Sequence, residues 1–204
     1  MTCIVAITES GTVFMGADSA GIANWALTIR KDPKIYCVGD VLFGFTTSYR
    51  MGQLLGYRFS MPEHDPECSI ERFMSTVFID SIREVLKEGG FARIDNGVEI
   101  GGEFLVGYKG WVFRVCNDYQ ISESRLSYDA VGCGADIALG SLYATVGMPP
   151  VKRIEIALEA AEAFSAGVRR PWIIEKLEGS GPKNPVCRNC IGFGWEPTIR
   201  GERR

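Results

Sequence analysis

Residues 1–19, MTCIVAITESGTVFMGADS, begin the chain with two short apolar runs. The runs 2–8 and 12–16 are rich in strand-forming residues and flank a polar segment with a glycine, so they predict a β-hairpin. Thr2 is small enough to permit removal of Met1, which would leave a hydroxyl beside a free α-amine. An α-amine has a pKa of about 7.7–8.0 and can act as a base near neutral pH. Many intracellular chains begin with Met and a small residue, so Thr2 alone does not establish a nucleophile.

The rest of the chain repeats this hairpin design and adds amphipathic helices. Blocks of strands followed by blocks of helices favour antiparallel sheets covered by helices, which is an α+β fold. Residues 1–178 are expected to form one domain, and residues 179–204 a Gly/Pro-rich tail. The predicted hairpins are 34–38 with 41–46 and 103–108 with 111–116; the predicted helices are 49–57, 69–88, 135–146 and 151–165.

Composition and charge exclude several classes of function. The 204 residues are 46% hydrophobic and 23% charged, with a net charge of −3, so the chain has no basic field to hold nucleic acid. Its apolar runs are far shorter than the ~20 residues of a membrane span, and Glu9 and Ser10 interrupt the start of any signal peptide. Seven cysteines, an odd number, indicate reduced thiols. We expect a cytoplasmic protein with neither nucleic acid nor a membrane as partner.

Few residues are available for other chemistries. His64 is the one histidine, so a histidine triad or a multi-histidine metal site has almost no material. Its loop is dense in Pro and acids, and we expect a solvated side chain. The segment VGCGADIALG, residues 131–140, lacks the lysine of a phosphate-binding loop. No cofactor or metal is expected in the body of the chain.

Six segments follow one another along the chain: Thr2-Cys-Ile-Val, Gly16-Ala-Asp18-Ser19, Lys34-Ile, Gly44-Phe-Thr-Thr, Gly132-Cys-Gly134 and Glu162-Ala-Phe-Ser165-Ala-Gly167. In this order they resemble the proteasome β-subunits and the HslV-type peptidases, which are N-terminal nucleophile hydrolases. Asp18 and Lys34 follow Thr2 at the spacing of that family. The resemblance covers residues 2–178 and implies a four-layer αββα sandwich.

The resemblance also implies a role for each of these residues. Thr2 would attack the substrate carbonyl while its own α-amine relays the proton. The ammonium of a buried Lys34 would lower the cost of an alkoxide, and Asp18 would hold that ammonium in place. Without the resemblance, Asp18 reads as a turn acid and Lys34 as a surface lysine.

Three positions depart from the family pattern. Thr47 or Ser48 stands where the family has a glycine whose backbone N–H stabilises the oxyanion. Cys133 replaces a serine that orients the α-amine, and a thiol is the poorer hydrogen-bond partner. Glu162 replaces a shorter aspartate, either supporting the site or lying on a helix surface, while Ser165 is retained.

Family members form stacked hexameric or heptameric rings, so the resemblance implies a homo-oligomeric double ring. It would degrade unfolded polypeptide, delivered by an unfolding ATPase on another chain. Two alternatives remain open: a catalytically silent ring-forming homologue, and an amidase acting on small amides.

The tail carries its own open alternatives. Cys187 and Cys190 read as ordinary thiols, half of a zinc site, or a redox or intersubunit disulfide. Phe193 and Trp195 would pack on the body of the chain or on a neighbouring subunit.

Overall fold

The computed structural model describes residues 1–179. The tail residues for which the sequence analysis left alternatives open, Cys187, Cys190, Phe193 and Trp195, lie outside the described part. The strands are β1 Cys3–Glu9, β2 Thr12–Ala17, β3 Ala20–Ala23, β4 Ala26–Ile29, β5 Ile35–Val38, β6 Val41–Phe45, β7 Arg93–Asp95, β8 Val98–Ile100, β9 Phe104–Tyr108, β10 Trp111–Val115, β11 Ile121–Glu123, β12 Tyr128–Gly132 and β13 Ile173–Glu178. The helices are α1 Tyr49–Tyr57, α2 Ile70–Phe73, a π-helical turn Met74–Phe78, α3 Ile79–Glu88, α4 Ala135–Ala144 and α5 Pro150–Phe164.

The first sheet has the antiparallel strand order β12-β1-β2-β13. The β1–β2 hairpin closes through Ser10 and Gly11, which both have positive φ, at 51° and 79°. Such a turn matches the right-handed twist of the flanking strands. On β1, Cys3, Val5 and Ile7 pack against α4 and α5, while the alternate residues face the other sheet.

The second sheet has the order β11-β10-β9-β6-β5 and is covered by α1 and α3. Ser48 caps α1 by accepting a hydrogen bond from the backbone N–H of Arg50 at 3.1 Å, which fixes where the chain turns from β6 into the helix. An aromatic cluster that includes Phe43, Phe59 and Phe78 fills the space between this sheet and its helices.

A third apolar layer lies between the two sheets. It is formed by Ile4, Ala6, Val13, Met15, Ala17, Ile35, Leu42, Leu105, Val112 and Val131. With helices on both outer faces, the molecule is a four-layer αββα sandwich, which confirms the fold predicted from the sequence.

The structure contains elements that the sequence pattern did not predict. The short hairpins β3–β4 and β7–β8 are largely exposed and lack the alternating burial that marks a strand. The strand β13 adds an edge to the first sheet beside β2. The predicted helix 69–88 is present but is interrupted by the π-helical turn. Within residues 1–179, none of the helices has the length and apolarity needed to cross a bilayer.

Candidate active site

Thr2 lies immediately before β1, next to the turn that follows β12. Its side chain is buried, with 4% of the residue exposed. Its backbone oxygen accepts a hydrogen bond from the N–H of Gly134 at 3.3 Å, and its backbone N–H donates to Sγ of Cys133 at 3.3 Å. Pairing of β1 with β12, in which Cys3 lies opposite Gly132, therefore continues into contacts that hold the peptide groups before and after Thr2.

Asp18 and Lys34 form a buried ion pair close to this strand end. Nζ of Lys34 donates to Oδ1 of Asp18 at 2.8 Å, and each residue is 1% exposed. Asp18 immediately follows β2 and Lys34 immediately precedes β5, so strands of different sheets supply the two charges. A buried pair of this kind holds its geometry because an unpaired charge at the same place would be costly.

Backbone N–H groups complete the environment of the Asp18 carboxylate. Oδ1 also accepts from the N–H of Cys3 at 3.0 Å, while Oδ2 accepts from the N–H groups of Ala20 at 2.9 Å and Arg169 at 3.3 Å. The carboxylate thus ties β1, the β2–β3 junction and the segment after α5 to one point. The sequence did not indicate the part played by Arg169, which lies 151 positions from its partner.

Burial changes the pKa values of ionisable groups around the Asp18 carboxylate. It lowers the pKa of Lys34 below its ordinary value of 10.5, and the neighbouring Asp18 carboxylate opposes part of that effect. Burial, followed by the field of Asp18, raises the pKa of the Cys3 thiol to about 12, so Cys3 is an inert core thiol.

Cys133 and Ser165 lie together beside the backbone nitrogen of Thr2. Sγ of Cys133 and Oγ of Ser165 are 3.3 Å apart, so a chain of polar atoms runs from Thr2 through Cys133 to Ser165. Gly167 packs closely here, since a side-chain carbon at that position would lie 2.5 Å from Sγ of Cys133 and 2.6 Å from Cβ of Met1. The segment after α5 therefore accepts no larger residue than glycine next to Met1.

The carboxylate of Glu162 does not join the chain of polar atoms formed by Thr2, Cys133 and Ser165. Its carboxylate accepts from the backbone N–H of Arg170 at 3.0 Å and from the guanidinium of that residue, which holds the pKa of Glu162 below its ordinary range. It makes no hydrogen bond to Thr2, Cys133 or Ser165 among residues 1–179. Glu162 instead fixes the segment that carries the N–H of Arg169, so its contact with the site is indirect.

Thr47 and Ser48 line a small cavity of about 70 Å³ together with Thr2 and Met1. Thr47 has a φ of +50°, in the left-handed region that favours glycine. Its hydroxyl is turned toward the neighbouring strand β9 of the same sheet, where Oγ1 accepts from the N–H of Glu103 at 3.0 Å. Glu103 is, after Arg169, the second residue that contacts the site and that the sequence did not single out.

A larger recess of about 420 Å³ adjoins this cavity and shares Ile22 and Tyr49 with it. The ion pair of Arg30 and Asp32 lies in its wall, with the guanidinium carbon 3.8 Å above the ring of Tyr49. The recess thus continues the cavity that Thr2 lines toward the β3–β4 hairpin.

His64 differs from the sequence prediction of a solvated loop residue. It is half-buried and stacks on Phe73 with 4.2 Å between ring centroids. Nε2 lies 2.9 Å from the carbonyl oxygen of Cys68, and Nδ1 lies 3.0 Å from the hydroxyl of Tyr108. The histidine therefore anchors its loop to the second sheet. Residues 1–179 contain no group of three His, Cys, Asp or Glu side chains arranged to hold a metal ion.

No protein-family model and no curated protein matches the sequence. Solved structures do match. BPH of Thiobacillus denitrificans in complex with epoxomicin has a TM-score of 0.72 and 20% identity, covering 86% of this chain and 98% of its own. HslV of Trypanosoma brucei has a TM-score of 0.60 and 15% identity, covering 86% of this chain and 99% of its own. Anbu (ancestral β-subunit) of Yersinia bercovieri has a TM-score of 0.60 and 15% identity, with coverages of 86% and 81%. The four layers, the position of Thr2 and these three likenesses agree, and the chain has the proteasome-type N-terminal nucleophile hydrolase fold.

Proposed function

We propose that this chain is a threonine-type endopeptidase whose nucleophile is Thr2, exposed as the N-terminal residue when Met1 is removed. The observation that carries the proposal is the ion pair of Lys34 and Asp18, buried to 1% exposure beside the backbone of Thr2. A buried cation next to a hydroxyl favours the alkoxide over the alcohol, which activates the nucleophile.

The hydrogen bonds of Lys34 support this role. An ammonium carries three N–H donors, and among residues 1–179 the side chain of Lys34 has Asp18 as its one hydrogen-bond acceptor. The remaining donors can stabilise negative charge on Thr2 Oγ1 or on the substrate. Because Asp18 is itself held by three backbone N–H groups, the pair needs little reorganisation during the reaction.

The α-amine created by loss of Met1 would be the general base. It would occupy the place of the present backbone nitrogen, 3.3 Å from Sγ of Cys133, which in turn lies 3.3 Å from Oγ of Ser165. In the first step Thr2 Oγ1 bonds to the substrate carbonyl carbon and its proton passes to the amine. Collapse of the tetrahedral intermediate breaks the C–N bond, and the amine delivers the proton to the leaving group. Water then hydrolyses the acyl-enzyme by the same route.

We further propose a homo-oligomeric double ring that encloses these sites, acts on unfolded polypeptide and receives it from an ATPase on another chain. The likeness to HslV supports this assembly. Exposed apolar side chains such as Trp25, Leu27 and Ile29 on the β3–β4 hairpin suit burial between subunits. A cytoplasmic location is supported by the five free thiols of the described part, Cys3, Cys37, Cys68, Cys116 and Cys133.

Intact mass measurement before and after exposure to epoxomicin tests the proposal. Epoxomicin is the ligand of the Thiobacillus denitrificans structure, and it serves here as the probe for a reactive hydroxyl and amine at an N-terminal threonine. We expect a chain lacking Met1 that gains one inhibitor mass at Thr2. Thr2→Ala should gain none, and Thr8→Ala, a buried threonine at the far end of the same strand, should react like the wild type.

Two results would move the assignment to the alternatives. A chain that retains Met1 and forms no adduct would be a silent ring-forming homologue, because an acylated Thr2 nitrogen cannot serve as a base. A reactive Thr2 in a protein that sediments as a monomer and cleaves small amides but not peptides would be an amidase.

A further inference from the structure

The turn between β6 and α1 offers two backbone N–H groups, those of Thr47 and Ser48, as the donor that stabilises an oxyanion. The N–H of Ser48 donates to the carbonyl oxygen of Thr46, and the hydroxyl of Ser48 is engaged in capping α1. The N–H of Thr47 has no acceptor among residues 1–179, although Thr47 lines the cavity at Thr2. The free donor of this turn is therefore that of Thr47.

Thr47 holds an unusual backbone conformation for its residue type. A β-branched residue rarely adopts a φ of +50°, because Cβ crowds the following carbonyl group. A rare conformation persists where surrounding contacts determine it. The residue must therefore be held by something other than its own preference.

Glu103 supplies the contacts that hold it. The N–H of Glu103 donates to Oγ1 of Thr47 at 3.0 Å, and the carbonyl oxygen of Glu103 accepts from the N–H of Thr46 at 3.2 Å. The side chain of Glu103 is itself fixed by the guanidinium of Arg114, whose Nε lies 3.0 Å from Oε1. The turn is thus fastened at two adjacent points to one residue at the start of β9.

We propose that the hydroxyl of Thr47 is a positioning group: by accepting from Glu103 it holds residue 47 left-handed and keeps its N–H free to donate to the oxyanion at Thr2. The inference rests on the proposed peptidase function and deepens it. It assigns the oxyanion donor to Thr47 instead of Ser48. It also gives a physical reason why a side chain is tolerated where a glycine would otherwise be needed.

Three substitutions of Thr47 separate the effect of its hydroxyl from the effect of its side-chain shape. Thr47→Ser keeps the hydroxyl, Thr47→Val keeps the shape without it, and Thr47→Gly loses the hydroxyl but adopts positive φ freely. The measurements are kcat and KM on a fluorogenic peptide, and inhibition by a peptide aldehyde whose tetrahedral adduct carries the oxyanion. Thr8→Val is the matched control for loss of a threonine hydroxyl elsewhere in the molecule.

We expect Thr47→Val to lower kcat roughly 10- to 100-fold, since loss of one oxyanion donor costs about 10² to 10³ and the donor here is displaced, not removed. Its KM should stay within about twofold and its aldehyde affinity should fall with kcat. Thr47→Ser should stay near the wild-type rate, with Thr47→Gly between the two. A Thr47→Val enzyme with wild-type kcat, or one that changes KM alone, would overturn the inference.

A structural measurement keeps the inference separate from the proposed function. Crystal structures of the wild type and of Thr47→Val report φ at residue 47 whether or not the protein is active. A valine variant that keeps φ near +50° with a free N–H would overturn the role of the hydroxyl. Failure of the wild type to react with epoxomicin would instead remove the peptidase function, and with it the oxyanion that this donor is proposed to bind.

Discussion

Substitution of Asp18 by Asn should destabilise the protein strongly. The wild-type carboxylate accepts four hydrogen bonds at 1% exposure: from Lys34 and the N–H of Cys3 on one oxygen, and from the N–H groups of Ala20 and Arg169 on the other. An amide has one oxygen, so its NH₂ group must face one of these donor pairs, and Lys34 loses its counter-charge. Breaking a buried ion pair by removing one partner costs about 3–5 kcal/mol.

The expected loss is a large part of the roughly 5–15 kcal/mol that stabilises an ordinary domain. For a chain of this size about 1 kcal/mol corresponds to about 2–4 °C, so Asp18→Asn should lower Tm by roughly 6–20 °C. Urea unfolding followed by circular dichroism, at one protein concentration, gives the free energy of unfolding. Asp32→Asn is the matched control, because its pair with Arg30 is 36–38% exposed and should be worth about 1 kcal/mol or less.

A double-mutant cycle with Lys34→Met sharpens the test. Each single variant leaves an unpaired polar or charged group in the core, whereas the double variant leaves no charge, so the double variant should lose less free energy than the sum of the two. The reasoning is refuted if Asp18→Asn costs no more than Asp32→Asn, or if the two single losses simply add.

Three further outcomes are expected. The pH profile of kcat/KM should have an alkaline limb with a midpoint below 10.5, because burial lowers the pKa of Lys34 and its neutral form cannot stabilise an alkoxide. The same shift makes the free energy of unfolding rise as pH rises from that midpoint toward 10.5. A limb at or above 10.5 would contradict both statements. Cys133→Ser should speed adduct formation with epoxomicin a few-fold, since a hydroxyl is a better hydrogen-bond partner for the amine of Thr2 than a thiol, and a slower reaction would show that the thiol is specifically required. Glu162→Gln should change kcat less than about twofold and stability by less than about 1 kcal/mol, because its carboxylate faces the exposed Arg170, and a tenfold loss of kcat would place Glu162 in the machinery.

The sequence predicted the elements whose pattern is local. The hairpin of β1 and β2 joins two runs of strand-forming residues through a Ser-Gly turn, and α5, predicted at 151–165, lies at Pro150–Phe164, so short-range rules sufficed for both. The resemblance predicted that Thr2, Asp18 and Lys34 lie close together, and the structure brings their positions together at one strand end.

The remaining features depend on contacts between distant parts of the chain. The strand β13 pairs with β2 across more than 150 positions, and half of its six residues are charged without strict alternation, so no local pattern marks it. The hydroxyl of Thr47 is bonded by Glu103, 56 positions away, and the outward direction of Glu162 depends on Arg170. A pattern within one segment carries no information about such partners.

The peptide group before Thr2 has a bearing on the order of events during synthesis. In the folded chain its N–H donates to Sγ of Cys133, and the next peptide group is held by the N–H of Gly134, which donates to the carbonyl oxygen of Thr2. Met1 is exposed, whereas Thr2 is 4% exposed, so the buried part of the strand begins at the bond between them. Because the Thr2 side of this bond is buried and its N–H is engaged, we expect a methionine aminopeptidase to act most readily before β12 reaches β1. Ribosomes add about 5–20 residues per second, so the roughly 130 residues between the two strands give an interval on the order of ten seconds. Under the function proposed here, a molecule that keeps Met1 beyond this interval folds with the α-amine of Thr2 acylated and therefore without the base that activates the Thr2 hydroxyl.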